Sequence, residues 1–141
     1  MRIRKPTIPF HRLYTKQWEV NSPVSVLYKM AYIAETGLIP GGIESQDILI
    51  TIMDGKFFVR EGTHRILGLI YLGHDSILPH EYHLVLDEES QDFIRRKMSE
   101  YPELQSPQTM ASLARAFGSL IIETALHWDG LETLGGNTQL L

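Results

Sequence analysis

"DILITIMDGKFFVREGTHRILGLIYLG", residues 47–73, changes its periodicity at Gly62. Before that glycine, two runs of β-branched and aromatic residues flank Asp54-Gly55. Both central positions of a type I′ turn need positive φ, which Asp and Gly tolerate, so the runs are expected to fold as a tight β-hairpin. After Gly62, the apolar residues Ile66, Leu67, Ile70 and Tyr71 recur at helical spacing, with Thr63 as expected N-cap and Gly73 as the stop. A hairpin whose second strand feeds directly into an amphipathic helix puts both secondary-structure types in one short segment, and everything around it follows suit.

Upstream, "NSPVSVLYKMAYIAETG" (21–37) reads as a helix with Ser22 as N-cap, Pro23 in the first turn and Gly37 as the stop. Val24, Leu27, Met30, Ala31 and Ala34 are expected on its inner face. "TIPFHRLY" (7–14) reads as a short extended segment that Pro9 confines to an edge, and "LIPGG" (38–42) as a loop. Downstream, "EYHLVL" (81–86) reads as a strand. Asp87, Glu88 and Glu89 suit a helix start, where the dipole favours acids; Phe93, Ile94, Met98 and Tyr101 would face inward, and Pro102 would end the helix. Ser106-Pro107 is expected to open the longest helix. Its stripe of Met110, Leu113, Ala114, Phe117, Leu120, Ile121 and Ala125 ends near Trp128. The tail, 131–141, is expected to be frayed or partner-dependent. Together these features predict one α+β domain over residues 1–141, a small mixed sheet with packed helices. Residues 87–130 would form a C-terminal two-helix extension.

The composition suits a globular chain: 43% hydrophobic and 21% charged over 141 residues, enough for a core without covalent staples. With no cysteine, there is no disulfide framework, thiolate metal site or cysteine nucleophile, and the expected compartment is the cytoplasm. No apolar run reaches the roughly 18–20 residues that span a bilayer, so no membrane partner is expected. "MRIRKPTIPF" lacks the apolar segment of a signal peptide and reads as mature protein. A net charge of −4 disfavours broad capture of nucleic acid. Arg2, Arg4, Lys5, Arg12 and Lys16 nevertheless form a basic arm suited either to phosphates or to a solvated strand edge.

The candidate site is Gly62-Thr63-His64-Arg65. A helix start leaves several N–H groups without intrahelical partners and carries partial positive charge. A preceding glycine admits a ligand close to the backbone. With a hydroxyl, an imidazole and a guanidinium added, the turn has the chemistry of a phosphate cradle. Basic side chains in a first turn also oppose the dipole by a few tenths of a kcal/mol, so two of them together suggest a bound anion. Capped helix start and solvated surface form the competing reading. His74, His80 and His83 with Asp75 and Glu81 hint at a metal cluster, but His80 and His83 on a strand would face opposite ways. Trp18, Tyr28 and Tyr32 read as core or rim, with base stacking as the alternative. Ser112, Ser119 and Thr124 have no base at useful spacing for nucleophilic catalysis.

The order helix, loop, hairpin, Gly-x-His-Arg, helix and strand over about residues 5–86 resembles the ParB/sulfiredoxin superfamily, particularly its DGHHR-type members, which include the free-serine kinases. The carrying residues are "VSVLYKMAYIAETGLIPGGI" and "DGKFFVREGTHRILGLIYLGHDSILPHEYHLV". The resemblance implies a nucleotide or phosphate bound by Gly62, Thr63, His64 and Arg65, with ATP, ADP or CTP and Mg²⁺ as the implied ligands. It implies catalytic roles for Glu61, His64 and Arg65. Glu61, standing where those members carry Asp, would hold Mg²⁺ or orient a hydroxyl. His11, in "PFHRL", stands where kinase-like members carry a glutamate base. Thr63 replaces the sulfiredoxin cysteine, which excludes that reaction, and the arginine-rich motif and helix-turn-helix of DNA-segregation members are missing. The functional expectation is phosphate or nucleotide binding, extending to phosphotransfer or nucleotide hydrolysis. The alternatives are a non-catalytic interaction module, with partner or self-association through 107–128, and a nuclease or DNA-associated factor.

Overall fold

The computed structural model describes residues 5–17, 20, 22–37, 39, 48–100 and 107–128. The expectations for Arg2, Arg4, Trp18, most of the "LIPGG" loop, Tyr101, Pro102, Ser106 and the tail lie outside these residues. The elements run β1 (Ile8–Pro9), a 3-10 turn (Phe10–Arg12), β2 (Leu13–Thr15), α1 (Pro23–Thr36), β3 (Leu49–Met53), β4 (Lys56–Glu61) and α2 (Thr63–Tyr71). Then follow β5 (Ser76–Ile77), a second 3-10 turn (Pro79–Glu81), β6 (His83–Leu84), α3 (Glu88–Ser99), β7 (Gln108–Thr109) and α4 (Met110–Leu126). Helices and a mixed sheet in one chain make the fold α+β.

The hairpin forms as the Asp-Gly pair dictates. β3 and β4 run antiparallel, Met53 pairs with Lys56, and Asp54 and Gly55 hold φ of 54° and 75°. This hairpin is the centre of a five-stranded sheet of order β6-β3-β4-β2-β7. β2 is parallel to β4 and β6 to β3, whereas β7 closes the far edge antiparallel to β2. β1 and β5 form a separate two-stranded ribbon. Period-two alternation splits the sheet's apolar residues between two cores. Leu13, Ile50 and Val59 join α1, α2 and α4 in the main core. Met53 and Phe58 face Ile94, with Tyr14, Phe93 and Met98 packed around them. Helix α3 therefore covers one face and the other three helices the opposite one. The turn of the hairpin is tied to α3 by Arg95–Asp54 (3.6 Å), and the strand by a Gln91 side-chain N–H donated to the Ile52 carbonyl (3.1 Å).

Several local expectations are corrected by tertiary packing. The segment 7–14 is broken by a 3-10 turn, so His11 sits on that turn, exposed, rather than on a strand. "EYHLVL" contributes only His83–Leu84 as strand, because residues 79–81 form a turn. In α1 the buried face is Val26, Leu27, Met30, Ala31 and Ile33, and Val24 is exposed. Two helices flank α1, so its buried arc is wider than one stripe and shifted from it. Helix α4 starts one residue after Thr109, whose hydroxyl accepts the Ser112 N–H (3.1 Å), not at Ser106-Pro107. Its stripe is core: Met110, Leu113, Ala114, Ile121 and Ala125 are buried against α1 and α2, and the Tyr71 hydroxyl donates to the Ala114 carbonyl (2.7 Å). Leu120 is partly exposed instead and, with Ile122 and Leu126, is one of the large apolar residues this helix shows to solvent. Among the described residues, no helix is long and apolar enough to cross a membrane.

Candidate functional site

β4 delivers the chain to α2 through Gly62, which is the N-cap at φ 108°. That conformation is open to glycine and strained for any L side chain. Space imposes the same choice: a Cβ on Gly62 would lie 2.9 Å from Ile48 Cγ1, with Ile48 Cα and Cβ at 3.2 and 3.3 Å. The glycine is therefore demanded by the packing of the β4–α2 junction on Ile48, where sequence reasoning had assigned it to ligand approach. Thr63 is the first helical residue, not the N-cap, and is only 6% exposed, so of the motif residues it presents the least surface to a ligand. The Gly62 carbonyl accepts the Ile66 N–H (3.0 Å), which starts the helical ladder, so the N–H groups of residues 63–65 find no acceptor within the helix.

His64 and Arg65 are half-buried on the first turn. His64 Nε2 is buried and has no hydrogen-bond partner. Burial, reinforced by the Lys29 ammonium, holds the imidazole below the usual histidine range. Lys29 is itself lowered, by burial and then by the Arg65 guanidinium. Sequence reasoning missed Lys29, because it belongs to a helix more than thirty residues away. The signal that brings it in is Gly68: a Cβ there would be 3.5 Å from both Lys29 Cβ and the Met30 nitrogen, so α1 and α2 meet closely at this glycine. His64 and Arg65 lie four and three residues before Gly68, on the same side of α2. Ser25, one turn before Lys29, accepts a hydrogen bond from its Nζ (2.7 Å). The crossing of two helices thus brings Lys29 near His64 and Arg65 on the turn whose N–H groups have no partner within the helix.

The other expected residues go elsewhere. Glu61 is exposed, and its carboxylate accepts a hydrogen bond and ion pair from neighbouring Arg60 at 2.8 Å. Lys16, at the end of β2, acts on it electrostatically as well. Hemmed in by two cations, Glu61 fits poorly as a Mg²⁺ ligand, and no group of three His, Asp or Glu able to hold a metal occurs among the described residues. His11 is not brought to the site. It precedes Leu13, which pairs with Phe57 near the start of β4, about 13 Å of strand from Glu61. The same turn donates the Phe10 N–H to the Asp75 carbonyl, beyond the opposite end of α2. His80 and His83 are exposed on a turn and a short strand.

What reaches the Glu61 end of the sheet from the N-terminal segment is Lys16, only 8% exposed. Its Nζ donates to the carbonyls of Arg60 (3.0 Å) and Val59 (3.4 Å), so a side chain prolongs the β2–β4 tie past the last paired residues. Burial lowers this amine to about 8, partly offset by Glu61. Phe93 of α3 lies beneath, with the Arg60 guanidinium 3.7 Å from its ring centre and Lys16 Nζ at 5.4 Å. This arrangement stiffens the strand that aims Gly62 and α2. No protein-family model, curated protein or solved structure matches the chain.

Proposed function

We propose that the chain binds a phosphate-bearing ligand, with a nucleotide as the favoured class, at the start of α2, as a ParB/sulfiredoxin-like domain. The observation that carries this reading is the electrostatic proximity of Lys29 to His64 and Arg65 on the first turn of α2, where a helix start leaves N–H groups without intrahelical partners. Among the described residues, neither Lys29 nor His64 has a carboxylate partner, and His64 Nε2 is buried unpaired. The Lys29 ammonium and the Arg65 guanidinium repel one another, and an anion relieves that repulsion while the neutral His64 imidazole can supply a hydrogen bond from Nε2. Phosphate is the best match, because it offers several acceptor oxygens and up to two charges to a set of N–H donors pointing one way. Any phosphoryl transfer there would draw on the same groups, since positioning and charge stabilisation carry most of that chemistry.

Calorimetric titration of ATP, ADP, CTP and GTP into the wild type and Arg65→Ala tests the reading. Binding by the wild type that Arg65→Ala loses is the expected result. Absence of heat with every nucleotide would reduce the motif to a helix start.

A further inference from the structure

We infer that the face of the sheet on which α3 lies docks a short acidic peptide segment of a partner protein, whose carboxylates bind the cations gathered around Phe93. The inference is independent of the phosphate reading, because α1 and α2 pack on the opposite face. Side chains alternate along a strand, so Lys56 and Arg60 flank Phe58 on one face of β4. Tyr14 pairs with Phe58 and carries Lys16, two residues on, to the same face. The Lys56 ammonium stands 5.3 Å from the Tyr14 ring centre. At the other end Phe93 collects four cations. The Arg60 guanidinium lies 3.7 Å from its centre, and Lys16, Arg96 and Lys97 lie at 5.4, 5.8 and 5.9 Å. Like charges are thereby concentrated, and Lys16 feels both Arg60 and Lys97.

The fold itself shows which group these cations accept. Arg60 and Lys97 hold the exposed carboxylates of Glu61 and Glu100, at 2.8 and 3.8 Å. Exposed pairs of this kind are weak, so a partner's Asp or Glu can replace them, and the planar fork of exposed Arg96 suits a carboxylate equally. Two observations favour a peptide over a nucleic acid. The Arg60 guanidinium already covers a face of Phe93 on which a base would stack. Glu61, Glu100 and Asp87, which acts electrostatically with Arg60, border the cluster and would repel a continuous phosphate chain. The spacing fits as well: Lys56 and Arg60 stand about 13 Å apart along β4, the separation of residues i and i+4 in an extended peptide.

The test is fluorescence anisotropy of a labelled decapeptide in which Glu and Ser alternate, at low and at physiological salt. The controls are the same peptide with Gln for Glu and a ten-nucleotide oligothymidylate. The proteins are wild type, the double variant Arg96→Gln/Lys97→Gln and Arg65→Ala, each checked for native circular dichroism. The expected result is saturable wild-type binding of the Glu peptide that weakens as salt rises and is not seen with the Gln peptide. The double variant is expected to weaken it about tenfold, as befits lost charge-assisted hydrogen bonds, and Arg65→Ala to leave it unchanged. Absence of saturable binding of the Glu peptide, or equal binding by the double variant, would overturn the inference, as would loss in Arg65→Ala alone. Tighter binding of the oligothymidylate that the double variant loses would also overturn it, by giving this face to nucleic acid. Should the double variant not fold, Arg96→Gln alone takes its place, with a weakening of about threefold expected and the same outcomes.

Discussion

Replacing Gly62 with alanine separates the two reasons a glycine can stand before a helix. If the packing on Ile48 governs, Gly62→Ala destabilises the fold by two additive terms. An L residue forced to positive φ costs about 1–2 kcal/mol, and a Cβ placed 2.9 Å from Ile48 Cγ1 adds an overpacking term of about 1–3 kcal/mol. The sum, about 2–5 kcal/mol, is a large share of a typical domain's stability. The partner substitution identifies the second term. Ile48→Ala removes Cγ1 and, since Ile48 is 2% exposed, costs about 2–5 kcal/mol by itself as a large-to-small core change. In the double variant the offending atom is gone, so the combined loss falls short of the sum by about 1–3 kcal/mol. Ile48→Val keeps a carbon at the γ1 position and relieves nothing, so that pair adds within about 0.5 kcal/mol. Urea unfolding followed by far-UV circular dichroism measures all five variants, with a constant m value as the check that the same surface unfolds. Additivity of Gly62→Ala with Ile48→Ala would refute the packing account and return Gly62 to ligand approach.

Alkaline pH gives a second measurement. Lys16 titrates near 8 in the fold against 10.5 ordinarily, so between those values the unfolded chain holds the extra proton and stability rises with pH, by up to about 3 kcal/mol. Lys29, also lowered, adds in the same sense. Tyr71, raised to about 12 by burial, acts oppositely, because above pH 10 it is the unfolded chain that loses a proton first. Urea midpoints are therefore expected to climb from pH 8 to a maximum near 10 and then fall, and Lys16→Met is expected to flatten most of the climb. Tyr71→Phe removes the hydroxyl bond to the Ala114 carbonyl and is expected to cost about 1–3 kcal/mol, because that acceptor sits between α2 and α4. An unchanged urea midpoint would show that this bond does not tie the two helices.

How much of the molecule was legible beforehand follows the reach of each signal. Asp54-Gly55 could be read as a turn because φ is a property of the residues themselves, and the caps at Ser22 and Asp87 because a side chain reaches its own backbone three residues on. Thr63 was misplaced by one position because a glycine at φ 108° was already serving as the cap. The short strands β5, β6 and β7 carry no local pattern of their own; they exist because a neighbouring strand offers them hydrogen bonds. Val24 and Leu120 were assigned inward by periodicity, yet which arc of a helix is buried depends on where its neighbours stand.

The same division runs through the candidate site. By itself the chain determined the hairpin, the glycine, the helix start and the presence of His64 and Arg65 upon it, all within one unbroken segment. Only the tertiary structure decided that Lys29 joins them while His11 is left at the other end of the sheet and Glu61 is drawn off by Arg60. The physical reason is that periodicity and capping act over a few residues along the chain. Charges, by contrast, act through space, and it is the close crossing of α1 and α2 at Gly68 that sets which charges are near.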